Sequence, residues 1–114
     1  MQLMEKLGLV TQMRKGALEY CVLALLSGPP RYGLEIVRAL GKVDGMLTTD
    51  GTMYPLLSRL RREGLVTTEW RESDSGPPRR YYGLTPEGRD ALATFRRQWA
   101  TFRDAVDVIL EEGG

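Results

Sequence analysis

The side chains with the most distinctive chemistry in this sequence are arginines. Arg59, Arg61 and Arg62 fall within residues 52–62, a stretch without a single acid, and Arg79 and Arg80 stand together behind Gly76-Pro77-Pro78. A guanidinium offers five donors in a planar fork that fits a phosphate, or O6 and N7 of guanine. The acids collect elsewhere: residues 104–114 hold Asp104, Asp107, Glu111 and Glu112 and no base. Sixteen basic and fifteen acidic residues thus cancel to a formal charge of +1, yet they stay segregated along the chain. Segregation, more than net charge, suits a polyanionic partner.

Catalytic chemistry is poorly supplied. Histidine is absent, which removes the commonest general base and metal ligand. The single cysteine, Cys21, allows neither an internal disulfide nor a Cys-rich zinc cluster. It lies on an apolar helix face, where it reads as inert packing. No nucleophile–base pair and no phosphate-binding glycine motif is present, so the expectation is a non-enzyme without metal or cofactor. Asparagine is also absent, which excludes the Asn fork to adenine, and Gln2, Gln12 and Gln98 lie outside the arginine-bearing segment. At 114 residues the chain suits one domain. No apolar run approaches the roughly 18 residues that span a bilayer, and Met1–Val10 lacks a charged-then-apolar leader pattern. A soluble, cytoplasmic protein without membrane contact is expected.

Periodicity supplies the elements that must position these arginines. Ala17, Leu18, Cys21, Val22, Leu25 and Leu26 share one face of a helix over Met13–Ser27, stopped by Gly28-Pro29-Pro30. Leu34, Ile36, Val37 and Leu40 mark a second, ending at Gly41. A third runs from an N-cap at Thr52 to about Glu63, with Pro55 in its first turn, and Gly64 stops it. The period then changes to two. Val66, Thr68 and Trp70 alternate with Thr67, Glu69 and Arg71, and Trp70, sharing a face with Val66, is expected in the core. Residues 73–78 form a turn-rich loop and Arg79–Leu84 the returning strand. Thr85-Pro86-Glu87 opens a long helix reaching about Glu112. Three helices, a β-hairpin and a long helix make a mainly α fold. They spell a winged helix-turn-helix domain over residues 1–85, with residues 86–114 as a C-terminal dimerisation helix packed on the first helix.

On the third helix, Met53, Leu56, Leu57 and Leu60 fall within about 100° of each other and form the buried face. Pro55, Ser58 and Arg62 lie opposite, with Tyr54 and Arg61 on one flank and Arg59 on the other. Arg59 either contacts DNA or pairs with Glu63 four residues on. Arg79 and Arg80 point to opposite faces of their strand and read as phosphate or minor-groove contacts of the wing. Arg14 and Lys15 fall at the start of the first helix, near flanking phosphates. The expected DNA contacts are Lys15, Thr52, Tyr54, Ser58, Arg59, Arg62, Arg79 and Arg80. A winged helix that docks proteins instead of DNA, without ligand response, is the rival class; the acid-free face and Arg79-Arg80 weigh against it.

The order of motifs resembles the PadR family of bacterial transcriptional regulators. Lys15-Gly16-Ala17-Leu18-Glu19, Tyr32-Gly33-Leu34-Glu35-Ile36, Gly51-Thr52-Met53-Tyr54-Pro55-Leu56-Leu57-Ser58-Arg59-Leu60, Glu63-Gly64-Leu65-Val66, Arg79-Arg80-Tyr81-Tyr82 and Leu84-Thr85-Pro86-Glu87-Gly88 carry it, within about residues 14–100. Met53 and Arg80 stand where the family usually has Leu and Lys. The single C-terminal helix is similar to the small subfamily. The resemblance implies a homodimer on a palindromic operator, repressing efflux or detoxification genes or its own gene, and in some members released by a flat aromatic ligand.

Leu92, Phe95, Trp99, Phe102, Val106 and Ile109 are spaced 3, 4, 3, 4, 3, an a/d seam suited to pairing with a second copy. Trp99 in mid-seam serves either as interface packing or as a stacking surface, the latter implied by the resemblance. Met13, Phe95 and Phe102 would line the same place, with Asp104 or Asp107 available to a cationic compound.

Overall fold

The computed structural model describes Met13 and residues 15–113, which form four helices and a three-stranded antiparallel sheet. In chain order these are α1 (Leu18–Leu25), β1 (Arg31–Tyr32), α2 (Gly33–Gly41), α3 (Asp50–Arg62), β2 (Val66–Ser73), β3 (Gly76–Leu84) and α4 (Pro86–Gly113). The mainly α, winged-helix plan with a long C-terminal helix holds. Arg14 lies outside the described residues.

Four boundaries differ from the sequence reading. Helix α1 begins at Leu18, because Gly16 takes a left-handed φ of 88° and breaks the run from Met13. The cap of α3 is Thr49, whose Oγ1 accepts from the Thr52 N–H at 3.3 Å, so Thr52 is already inside the helix. Pro55 consequently sits beyond the first turn, where its missing N–H leaves the Gly51 carbonyl without its helical donor. The returning strand starts at Gly76 and not Arg79, leaving only Asp74 and Ser75 between the strands. The two-residue β1 was not anticipated; it pairs with β3 through Arg31↔Tyr82 and Tyr32↔Tyr81, giving the order β1-β3-β2.

One core gathers all the layers. Val22, Leu23 and Leu26 at α1 meet Ile36 and Leu40 of α2, Met53, Leu57 and Leu60 of α3, Val66 and Tyr82 of the sheet, and Leu92 of α4. These are fully or nearly fully buried, and burying a Leu or Ile contributes roughly 1.5–3 kcal/mol each. A Schellman turn ends α3: Leu65 N–H donates to Leu60 O at 3.0 Å, Gly64 N–H to Arg61 O at 3.1 Å, and Gly64 takes φ 77°. The start of α4 latches onto the same turn. Thr85 Oγ1 donates to Gly64 O at 2.7 Å and accepts from the Gly88 N–H at 3.0 Å. A Cβ on Gly88 would collide with the Leu65 carbonyl oxygen, so only glycine permits this close docking.

Candidate nucleic-acid interface

Helix α3 turns Met53, Leu57 and Leu60 wholly inward and leaves Ser58, Arg61 and Arg62 exposed. Among the described residues, none of those three side chains has a hydrogen-bond or ion-pair partner within the chain. Tyr54 is partly exposed, its ring lying against Gly33, where a Cβ would sit 2.6 Å from Cε1. Lys15, Thr52, Arg59 and Arg62 line one groove of about 1000 Å³ between the turn before α1 and the face of α3. The fold thus gathers expected contact residues from both ends of a 50-residue span.

Arg59 differs from its neighbours. Its Nη2 lies 2.8 Å from Glu19 Oε2 of α1, and its Nη1 3.3 Å from Glu63 Oε1 one turn on. The hydrogen bond and attraction from Glu19 come first and those from Glu63 second, and together they raise the Arg59 pKa above its ordinary value. Two carboxylates therefore compensate this guanidinium, while Arg62 remains uncompensated. The pairing with Glu63 was anticipated. Glu19, which also lines the groove, was missed, because only tertiary packing brings α1 beside α3.

The wing carries the second set. Trp70 is 64% exposed, which corrects its assignment to the core. The hairpin overhangs the core beyond Thr68, so the inward face of the strand runs out of protein to cover. Trp70 pairs across the hairpin with Arg80, and Arg71 with Arg79. Each guanidinium lies over a ring: Arg80 on Trp70 at 4.9 Å, Arg79 on Tyr32 at 4.5 Å and Arg71 on Tyr81 at 4.5 Å. Arg71 also pairs with Glu69, its Nε 2.9 Å from Oε1, so the free wing cations are Arg79 and Arg80.

A family model described as the transcriptional regulator PadR-like family matches residues 22–94, which spans α1 through the first turns of α4. The chain belongs to the PadR family. Members of this family are DNA-binding transcriptional regulators, not enzymes. A crystal structure of a PadR-family regulator from Eggerthella lenta is 34% identical, with a TM-score of 0.84, covering 97% of this chain and 98% of that one. A PadR-like transcription factor from Bacteroides fragilis is 40% identical, with a TM-score of 0.74, covering 90% and 98%. A transcriptional regulator from Mycobacterium tuberculosis is 47% identical over 53 residues, 46% of this chain and 49% of that protein.

In this PadR-family chain the long helix divides into two parts. Leu92 is buried in the chain's own core, and Phe95 stacks on Tyr20 with centroids 4.3 Å apart and planes at 4°. Those two seam residues are thus engaged within the protomer, which shortens the free seam foreseen from sequence. Trp99, Phe102, Val106 and Ile109 are exposed, with Val108 and Leu110 beside them. Met13, Phe95, Trp99 and Phe102 line one hollow of about 610 Å³ with Lys15, Gly16 and Ala17. Phe95 and Trp99 stack at 5.6 Å there. Asp104 and Asp107 do not line it; Asp104 instead meets Arg103 at 3.4 Å. No helix among the described residues is long and apolar enough to cross a membrane.

Proposed function

We propose that this PadR-family regulator is a cytoplasmic, homodimeric repressor of a palindromic operator, with α3 entering the major groove and the β2–β3 wing lying beside it. Residues 1–85 act as the DNA-binding unit and residues 86–114 as the dimerisation helix. Lys15, Thr52, Tyr54, Ser58, Arg59, Arg62, Arg79 and Arg80 face the duplex. The observation that carries this reading is the uncompensated Arg62 beside Ser58 at the centre of the exposed face of α3, flanked by a groove lined with Lys15 and Thr52. Substituting Arg62→Ala weakens binding to a labelled duplex, enriched from a random pool by the full chain, by about 1–3 kcal/mol. An unchanged isotherm removes Arg62 from the interface.

The partner of the exposed seam is a second copy of this chain. The molecule presents 8260 Å² of surface against roughly 6,300 Å² for a compact monomer of 12.8 kDa. The excess fits a helix awaiting cover, since large contiguous apolar patches on soluble proteins mark interaction sites. The aromatic hollow receives a flat aromatic effector that releases DNA, and the controlled genes encode efflux or detoxification. Its volume lies within the usual range of roughly 300–1,000 Å³ for small-molecule sites. Lys15 and Gly16 line both the hollow and the DNA groove, so a ligand that moves this turn also moves a DNA contact. Aromatic cations titrated against the protein–duplex complex quench Trp99 and release the duplex; no quenching and no release restrict Trp99 to packing.

A further inference from the structure

We infer that Trp70 is a positioning residue for DNA binding: its ring is a platform that holds the Arg80 guanidinium flat at the wing so that its terminal N–H groups stay free for a phosphate. The inference rests on the DNA-binding reading above and adds to it a residue that this reading does not use. Trp70 contributes nothing to the core. It stands 64% exposed on the overhanging part of β2, directly across the hairpin from Arg80. The guanidinium carbon lies 4.9 Å from its ring centroid. Arg80 Nε is buried and unbonded, as expected for a side chain pressed along the strand surface, and its terminal nitrogens have no partner among the described residues.

The mode of holding is what matters. An ion pair fixes a guanidinium by using its donors and cancelling its charge, as Glu69 does to Arg71 and Glu19 does to Arg59. A ring fixes it through the π face, leaving the in-plane donors and the charge available. The wing applies this to both of its uncompensated cations. Arg79 lies on Tyr32 on the opposite face of the hairpin, and Tyr32 is braced edge-on by Tyr81 at 5.5 Å and 68°. A long side chain that would otherwise sample many rotamers is thus held ready before DNA arrives, which cuts the ordering cost of contact.

The test is a double-mutant cycle on the full-length chain, read by fluorescence anisotropy of a labelled duplex enriched from a random pool, at several salt concentrations. Trp70→Leu is expected to weaken binding about two- to fivefold, the range of an exposed cation–π contact. Trp70→Phe, which keeps a ring, stays within about twofold of the unaltered chain. The double variant Trp70→Leu/Arg80→Ala binds like Arg80→Ala alone. Although it removes no charge, Trp70→Leu also lowers the slope of log K against log salt toward that of Arg80→Ala, a change that a merely structural role does not produce. Thermal melting of each variant confirms that the exposed site leaves the fold intact. Wild-type affinity in Trp70→Leu, or losses that simply multiply in the double variant, overturns the platform. A wild-type chain that shows no salt-dependent duplex binding overturns the DNA reading itself, and the platform with it.

Discussion

Helix α3 and the distal half of α4 are both amphipathic, yet they leave opposite faces uncovered. In α3 the apolar stripe of Met53, Leu57 and Leu60 is wholly buried, and what remains outside is Ser58, Arg61 and Arg62. In α4 the stripe beyond Phe95 has no domain beneath it, and Trp99, Phe102, Val106 and Ile109 remain outside. The same periodicity therefore makes two different surfaces. One is charged and rigidly mounted, fit for a polyanion; the other is apolar, fit for a protein surface like itself. Between them lies the Lys15–Gly16 turn, which lines the groove on one side and the aromatic hollow on the other.

The largest expected contrast is in stability. Leu57→Ala empties a filled core position and costs about 2–5 kcal/mol in chemical denaturation, whereas Leu110→Ala, on the exposed end of α4, shifts the unfolding of a diluted monomer by no more than about 0.5 kcal/mol. Equal losses would mean that α4 is as firmly mounted as α3. Next comes assembly. Phe102→Asp with Ile109→Asp leaves the winged domain folded but moves the sedimenting species from dimer to monomer. Duplex affinity then falls by about 100-fold through lost bivalency. A monomeric wild-type chain at micromolar concentration ends the dimer proposal.

A finer contrast lies within α3. Arg62→Ala lowers the salt slope by about one unit, as loss of a free phosphate contact requires. Arg59→Ala lowers it less, because Glu19 and Glu63 already compensate that charge. Equal slopes would contradict the sorting of these arginines by their carboxylate partners. The smallest effect concerns Cys21, whose thiol pKa is raised by burial. A raised folded-state pKa favours the protonated form, so the stability it contributes is present below the thiol's ordinary value of about 8.5 and is lost as pH climbs through the higher folded value. Stability measured from pH 7.5 to 10 declines more steeply for the wild type than for Cys21→Ala.

Much of this was readable from residue order, for a physical reason. Where a helix packs on one core, its period and the burial of its apolar face are the same fact, and Met53, Leu57 and Leu60 show it. Strand period carries no such guarantee. The alternation through Val66, Thr68 and Trp70 gives the correct face, but it says nothing about where the core beneath ends, so Trp70 was placed inside when it overhangs. Glu19 escaped because its neighbour Arg59 lies 40 residues away and meets it only through helix packing. The cap moved from Thr52 to Thr49 since either threonine suits the position, and the pattern of side chains does not choose between them. Strand β1, at two residues, has no period to detect.

The most direct measurement is the salt dependence of duplex binding by the full chain. Affinity for a duplex enriched from a random pool is expected to fall linearly on a log–log scale, by about 0.9 units for each phosphate contacted, with both copies of Arg62, Arg79 and Arg80 contributing to a slope of several units. Binding that is absent, or that does not change with salt, would contradict an arginine-bearing face built for DNA.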